Sequence, residues 1–374
     1  MADDLTTPLT GRKRKPGERP HLPIARVLFA MLALIAVGFV LRLVLVDDPD
    51  GGRPSQEVAI TSTRNSNAVA NEVASGPVTI TADPQQFPVG SSMTAMPMGT
   101  ASAGSMTGLP DMFGALPDLS EETRDGTIPR ISTAGVTPFA AYARPAAAAV
   151  ASGLPMVAIV VTGLGINEQG SLDAIDRMPN EVTLAFAPYG KTLVTTVAAA
   201  RAAGHEVLLE IPLEPFDFPE NDPGPQTLLT GETPRANLDK LFWLLSRFGG
   251  YVGVINNMGA RFTAAATDFA PIMEELGARG LGYLDDGSSN RSLAGQLAEG
   301  NKVPFSRADL VIDANPARQS ILTALASLEA KALENGHAIG IVSALPISIA
   351  AVAEWSRDLE ARGIALVPAS ALMN

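Results

Sequence analysis

Apolar residues are distributed along this chain in three distinct ways. From Val27 to Val46 they form a nearly unbroken run, interrupted only by Arg42. From Asp47 to about Val150 they are thinned by Ala, Gly, Pro, Ser and Thr, with only Phe87, Phe113, Phe139 and Tyr142 as aromatics. From Pro155 onward short β-branched runs alternate with stripes of helical period. The runs predict strands at Val157 to Val161, Val182 to Phe186, Glu206 to Ile211, Tyr251 to Ile255, Leu281 to Leu284, Leu310 to Ile312, Ala338 to Val342 and Ile364 to Val367. Between them, Leu238, Leu241, Phe242, Leu245 and Phe248 recur at helical spacing behind the cap pair Thr233-Pro234. So do Phe269, Ile272, Met273 and Leu276, then Ile321, Leu322, Leu325 and Leu328, then Ile349, Val352, Trp355 and Leu359. Gly204, Gly249, Gly280, Gly336 and Gly363 follow helical runs where a left-handed cap belongs.

Seven or eight strands with helices between them predict either a (β/α) barrel or a doubly wound sheet. Both architectures place chemistry at the C-terminal strand ends. Those ends are Thr162, Pro188, Glu210, Asn256 and Asn257, Asp285 and Asp286, Asp313, and Ser343. The first predicted strand leads into Gly163-Leu164-Gly165, but a dinucleotide fingerprint needs a third Gly where this chain has Glu168. The G-L-G is therefore read as a strand-to-helix turn. Asp285 and Asp286 leave their strand together, and alternation allows only one of them to face inward. Glu210 ends an apolar strand and needs a partner, for which Arg261 is the candidate.

The run from Ile24 to Val46 is long enough to cross a bilayer core of about 30 Å. It follows Arg12, Lys13, Arg14, Lys15 and Arg19 and is followed by Asp47 and Asp48 rather than a small-residue cleavage site. The expectation is a cytoplasmic basic tail at 1–23, an uncleaved single-pass anchor at 24–46 and all later residues outside the cytoplasm. A low-complexity linker is expected at 47–127, then an arm at 128–154, carrying Pro138, Phe139, Tyr142, Arg144 and Pro145, that docks on a domain at 155–374.

Charge and composition narrow the chemistry. The 27 basic and 39 acidic side chains leave a net charge of -12, which argues against a nucleic-acid partner. Cysteine is absent, so no thiolate ligand or Cys nucleophile exists. The three histidines are His21, His205 and His337. The latter two enter strands at the end away from the expected site and are read as structural.

Several motifs resemble those of the divergent polysaccharide deacetylase family, bacterial envelope proteins related to carbohydrate esterases. They are A-I-V-V-T-G-L-G, V-T-L-A-F-A-P-Y, G-H-E-V-L-L-E-I-P-L-E-P, P-E-N-D-P-G-P-Q-T-L-L-T, N-N-M-G-A-R-F-T, Y-L-D-D-G-S-S and G-I-A-L-V-P-A-S-A-L. The run from Glu214 to Pro225 is the most specific. The resemblance implies a distorted (β/α) barrel with a glycan groove at the strand C-termini. It also implies a bacterial inner-membrane protein with a periplasmic C-terminal domain, whose partner is a cell-envelope glycan or envelope protein.

Residue by residue, the implied activity transfers poorly. Where active members have two Asp before L-G, this chain has Thr162 and Gly163. Asn257 stands at a His position, and Ser343 and Leu345 stand where G-H-P-H-P would place His. Metal-dependent deacetylation needs about three ligands around one ion. The expectation is therefore no metal and no cofactor. Thr162, Asn256, Asn257, Arg261, Asp285, Asp313 and Ser343 then become ligand-binding residues, with Asp285, Asp286 and Glu210 as candidates for a rewired acid–base pair.

Overall fold

The structure is a computed structural model and describes residues 110–374. The expected basic tail, the expected anchor at 24–46 and the linker up to residue 109 lie outside the described residues. Among those described, no helix is long and apolar enough to cross a membrane.

The fold is α/β, built on one curled parallel sheet. The strands are β3 (Met156–Leu164), β4 (Thr183–Phe186), β5 (Val207–Leu213), β6 (Gly253–Met258), β7 (Gly282–Asp285), β8 (Phe305–Arg307), β9 (Leu310–Val311), β10 (His337–Ser343) and β11 (Ala365–Leu366). Their order is β8-β7-β6-β5-β4-β3-β10-β9, with β11 also pairing β3. The two outer strands, β8 and β9, are separated in sequence only by Ala308 and Asp309. Ala308 N donates to Asp285 O of β7 at 2.8 Å, and Asp309 N donates to Ile339 O of β10, also at 2.8 Å. One continuous stretch of backbone thus joins both edges of the sheet. The curl fits a distorted (β/α) barrel, and the doubly wound alternative is set aside.

Side-chain alternation separates two cores. Val157, Ile159, Val161, Leu209, Val254, Tyr283 and Val342 pack outward among the helices. Ala158, Val160, Leu208, Ile255, Leu284, Ile339 and Ile341 share the inner cluster, together with Leu119, Tyr142, Val367, Leu372 and Met373. The helices are amphipathic and capped as their sequences dictate. In the one spanning Pro234–Leu245, Thr233 accepts a hydrogen bond from Ala236 N, and Pro234 occupies the first turn, where its missing N–H is not needed. Positive φ occurs at Gly204, Gly280, Gly336 and Gly363 as expected, but at the 249–250 turn it falls on Gly250.

Two features differ from the sequence expectation. Across the boundary expected between linker and arm, the chain forms a 3-10 turn (Pro117–Leu119) and the hairpin β1 (Ser120–Thr123) with β2 (Gly126–Pro129). Composition misleads here because a few apolar anchors suffice: Leu119 and Ile128 are buried against the barrel. β8 was not anticipated, since Phe305–Arg307 is short and only partly apolar. The arm does dock. Phe139 lies beneath Gly282, Tyr142 Oη accepts from Leu116 N at 2.9 Å, and Arg144 Nη1 donates to Gly204 O at 2.9 Å.

Candidate functional site

The inner face of the barrel continues beyond its apolar cluster into the mouth. Stepping two residues from Val160 gives Thr162, from Leu208 gives Glu210, from Ile255 gives Asn257, from Leu284 gives Asp286, and from Ile341 gives Ser343. These five residues line one cleft of about 430 Å³, within the usual range for small-molecule sites. Gly163, Asn256, Ser288, Val311, Ala344 and Leu345 complete much of its wall.

Glu210 is buried, and its Oε1 accepts from Gly163 N at 2.5 Å. That amide points inward because β3 shifts register between Val161 and Leu164 and Gly163 takes a φ of 79°. Burial pushes the Glu210 carboxyl up to about 7, against the stabilising Gly163 N–H. Its Oε2 has no hydrogen-bond partner among the described residues and is not sealed from the cleft. The Asn257 amide is likewise uncommitted among the described residues and half-buried at the cleft wall.

Asp286 carries the second carboxylate of the cleft. Burial raises its pKa, opposed by hydrogen bonds from Ser288 and Asn256 and reinforced by the nearby Asp285 charge. Asn256 has the opposite parity to Asn257 and acts as a brace. Its Oδ1 accepts from Asp286 N at 3.0 Å and from Tyr283 Oη at 3.1 Å, while its Nδ2 donates to Met258 O at 2.6 Å. Met258, at φ 61°, is one of two non-glycine residues with positive φ among those described, so the Asn256 contact holds a strained exit loop.

Three of the sequence candidates sit elsewhere. Asp285 turns away from the cleft: it accepts from Gly287 N at 2.8 Å and Ser292 Oγ at 2.5 Å, and Arg307 Nε lies 4.0 Å away. Asp313 accepts from Ser343 N at 3.0 Å and Ser348 Oγ at 2.7 Å, fastening the end of β10 from behind. Arg261 does not partner Glu210. Its guanidinium pairs with the buried Glu214 at 3.2 Å, because Glu214 lies four residues further along the β5 exit, at the start of the loop that Arg261 faces. His205 is buried with its ring nitrogens 2.9 Å and 3.3 Å from Val182 O and Ile175 O, and neither His205 nor His337 reaches the cleft. Sequence reasoning missed Val311, Ile341 and Ala344. Their signal was weak, since an apolar residue near a strand end reads as core.

The family model for divergent polysaccharide deacetylases matches residues 159–373. The chain belongs to that family. YibQ of Escherichia coli (strain K12) is 24% identical over 219 residues, covering 58% of this chain and 67% of YibQ. A Haemophilus influenzae protein is 23% identical over 203 residues, covering 54% of this chain and 71% of its own length. The crystal structure of protein ATU2773 from Agrobacterium tumefaciens C58 is 44% identical and superposes with a TM-score of 0.64, covering 66% of this chain and 100% of that one.

Polysaccharide deacetylases imply a divalent metal, and the donors here do not fit one. The cleft offers two carboxylates on separate strands, Glu210 and Asp286, with otherwise neutral hydroxyls and amides. Among the described residues, no three His, Asp or Glu side chains are grouped to hold an ion.

Proposed function

We infer that this divergent polysaccharide deacetylase domain binds an uncharged cell-envelope glycan in the mouth of its barrel, without metal-dependent deacetylation. The observation that carries this reading is the uncommitted hydrogen-bonding capacity in one cleft. Glu210 Oε2 and the Asn257 amide lack protein partners among the described residues, and the Thr162 and Ser343 hydroxyls lie beside them. Sugar hydroxyls both donate and accept, and such a mixed array answers them. No Lys or Arg lines the cleft, which disfavours an anionic ligand. The anchor expected at 24–46 would present the barrel to the envelope on the periplasmic side, with the inner membrane as its attachment.

Binding of chitooligosaccharides and peptidoglycan fragments, followed by protein-observed NMR or calorimetry, tests the reading. Binding that weakens about tenfold in Asn257→Ala, with no acetate release in added zinc, cobalt or manganese, is the expected result. Metal-dependent acetate release would overturn it. Topology is tested with a cysteine at exposed Ala134. Labelling by a membrane-impermeant reagent in intact spheroplasts is expected, and its absence would reverse the orientation.

A second reading draws on the carboxyl of Glu210, which titrates near neutrality and is therefore suited to general acid–base work. In this reading Glu210 and Asp286 act on a glycosidic bond, which requires a separation of about 5 to 10 Å with substrate bound. Asp285, held by Ser292 and Gly287, has no direct part in it. Glycan hydrolysis abolished by Glu210→Gln would establish this alternative.

A further inference from the structure

The cleft is not uniform, and its residues sort by strand. The β5–β7 side presents five polar residues, Glu210, Asn256, Asn257, Asp286 and Ser288, with Ile255 the one apolar member, and Thr162 and Gly163 of β3 lie between the two sides. The opposite side, from β9, β10 and the turn after it, presents Val311, Ile341, Ala344 and Leu345, with Ser343 the one polar member. Val311 and Leu345 are 43% and 42% exposed, so the rim of this apolar wall is open to solvent, while Ile341 beneath it belongs to the inner cluster. It runs on to Ile347, another exposed side chain in the first turn of the helix Pro346–Ser356.

Free polysaccharides commonly present ring faces that stack on aromatic side chains, but no aromatic residue lines this cleft. Aliphatic side chains instead match alkyl chains. Resting on the glycan reading above, we propose that the ligand is an amphipathic glycan: an uncharged sugar carrying an alkyl or acyl chain. The sugar lies against the Glu210–Asn257–Asp286 side. The chain lies along Val311, Ile341 and Leu345 and leaves over Ile347. A phosphate at the junction finds no cation, because Arg261 is paired with Glu214, and Arg307 is turned to Asp285 and the carbonyls of Gly287 and Ser289.

The test uses the full chain in phospholipid nanodiscs and an N-acetylglucosaminide whose six-carbon aglycone carries a diazirine. After photolysis, mass spectrometry locates the crosslinks, and unlabelled hexyl and methyl N-acetylglucosaminides compete. Each methylene removed from water is worth about fourfold in affinity. Hexyl glycoside should therefore compete at least about tenfold better than methyl glycoside, with crosslinks on the peptides holding Val311 and Leu345. Leu345→Ser and Val311→Ser alter exposed positions, leave the fold intact and should shrink that advantage below about threefold. Equal competition by the two glycosides, with chitooligosaccharide still competing, overturns the amphipathic ligand and leaves the glycan reading standing. Competition by hexanol as strong as by hexyl glycoside, or crosslinks away from the cleft, also overturns it. Failure of every glycoside to compete removes the glycan reading along with it.

Discussion

Glu210 accepts a hydrogen bond from the backbone amide of Gly163, so a buried carboxyl on β5 is tied to the end of β3 across the mouth of the barrel. The bond uses the backbone alone, since a Cβ built at Gly163 meets no heavy atom within 4 Å. The buried carboxyl has thus exchanged hydration for one backbone N–H.

That exchange predicts a pH signature. Glu210 has a folded pKa near 7 against an ordinary 4.5, so between those values the unfolded chain has released a proton that the native state retains. Stability from this group is complete below about pH 4.5, falls as pH rises, and is lost above about pH 7. The full change amounts to about 3 kcal/mol. Glu206 and Asp286 are also raised and slope the same way. The diagnostic quantity is therefore the difference between wild type and Glu210→Gln in urea unfolding from pH 4 to 8. A gap independent of pH would show that Glu210 is not the titrating group.

Arg261 should leave that titration untouched. Its partner is Glu214, which is buried and also accepts from Thr230 Oγ1 at 2.7 Å. Glu214→Ala strands Thr230 and the guanidinium and should cost about 3 kcal/mol, whereas half-exposed Arg261→Ala should cost about 1 kcal/mol. An NMR titration of Glu210 in the Arg261→Ala protein should reproduce the wild-type midpoint. A shift of a full pH unit would restore Arg261 as its partner.

The barrel was legible in the sequence because parallel strands buried on both faces leave continuous apolar runs, and the helices between them leave periodic stripes. The same continuity hid which residues face inward. In G-Y-L-D-D, every strand position is buried, so nothing in the sequence distinguishes Asp285 from Asp286. Only the placement of Leu284 in the inner cluster settles that Asp286 reaches the cleft. The pairing of Arg261 was equally hidden. Glu210 lies in the middle of β5 and Glu214 just past its end, a placement that the apolar run E-V-L-L-E-I-P-L-E does not reveal.

Two glycines near the mouth should respond differently to alanine. Gly163 needs its positive φ but has open space where a Cβ would lie, so Gly163→Ala should cost only the backbone penalty of about 1 to 2 kcal/mol. At Gly190 an added Cβ would sit 2.3 Å from the carbonyl oxygen of Gly165, with backbone on both sides of the contact. Gly190→Ala should therefore destabilise by about 3 kcal/mol or more, displacing the turn after β3. Equal midpoints of thermal unfolding for the two variants would contradict this ranking.

The last prediction concerns where the folded unit begins. A boundary at Pro155 would expose the bottom of the barrel, because residues before it fill that end. Leu119 and Tyr142 belong to the inner cluster, and Phe139 packs under Gly282 beside Met373. Polar closure depends on the same segment. Arg144 N donates to the fully buried Glu206 at 3.2 Å, joining Thr183 and Ser370 around that carboxylate, and Arg144 Nη2 pairs with Glu181 at 3.0 Å. Removing everything before Pro155 deletes three large buried side chains, Leu119, Ile128 and Tyr142, and one of the four hydrogen-bond donors that hold Glu206. Each such side chain is worth about 1.5 to 3 kcal/mol. A chain starting at Pro155 should thus unfold at least about 4 kcal/mol more easily than one starting at Asp111, if it folds at all. Chemical denaturation of the two forms decides the point. Matching midpoints and slopes would show that the arm merely rests on the barrel and that the independent domain starts at Pro155.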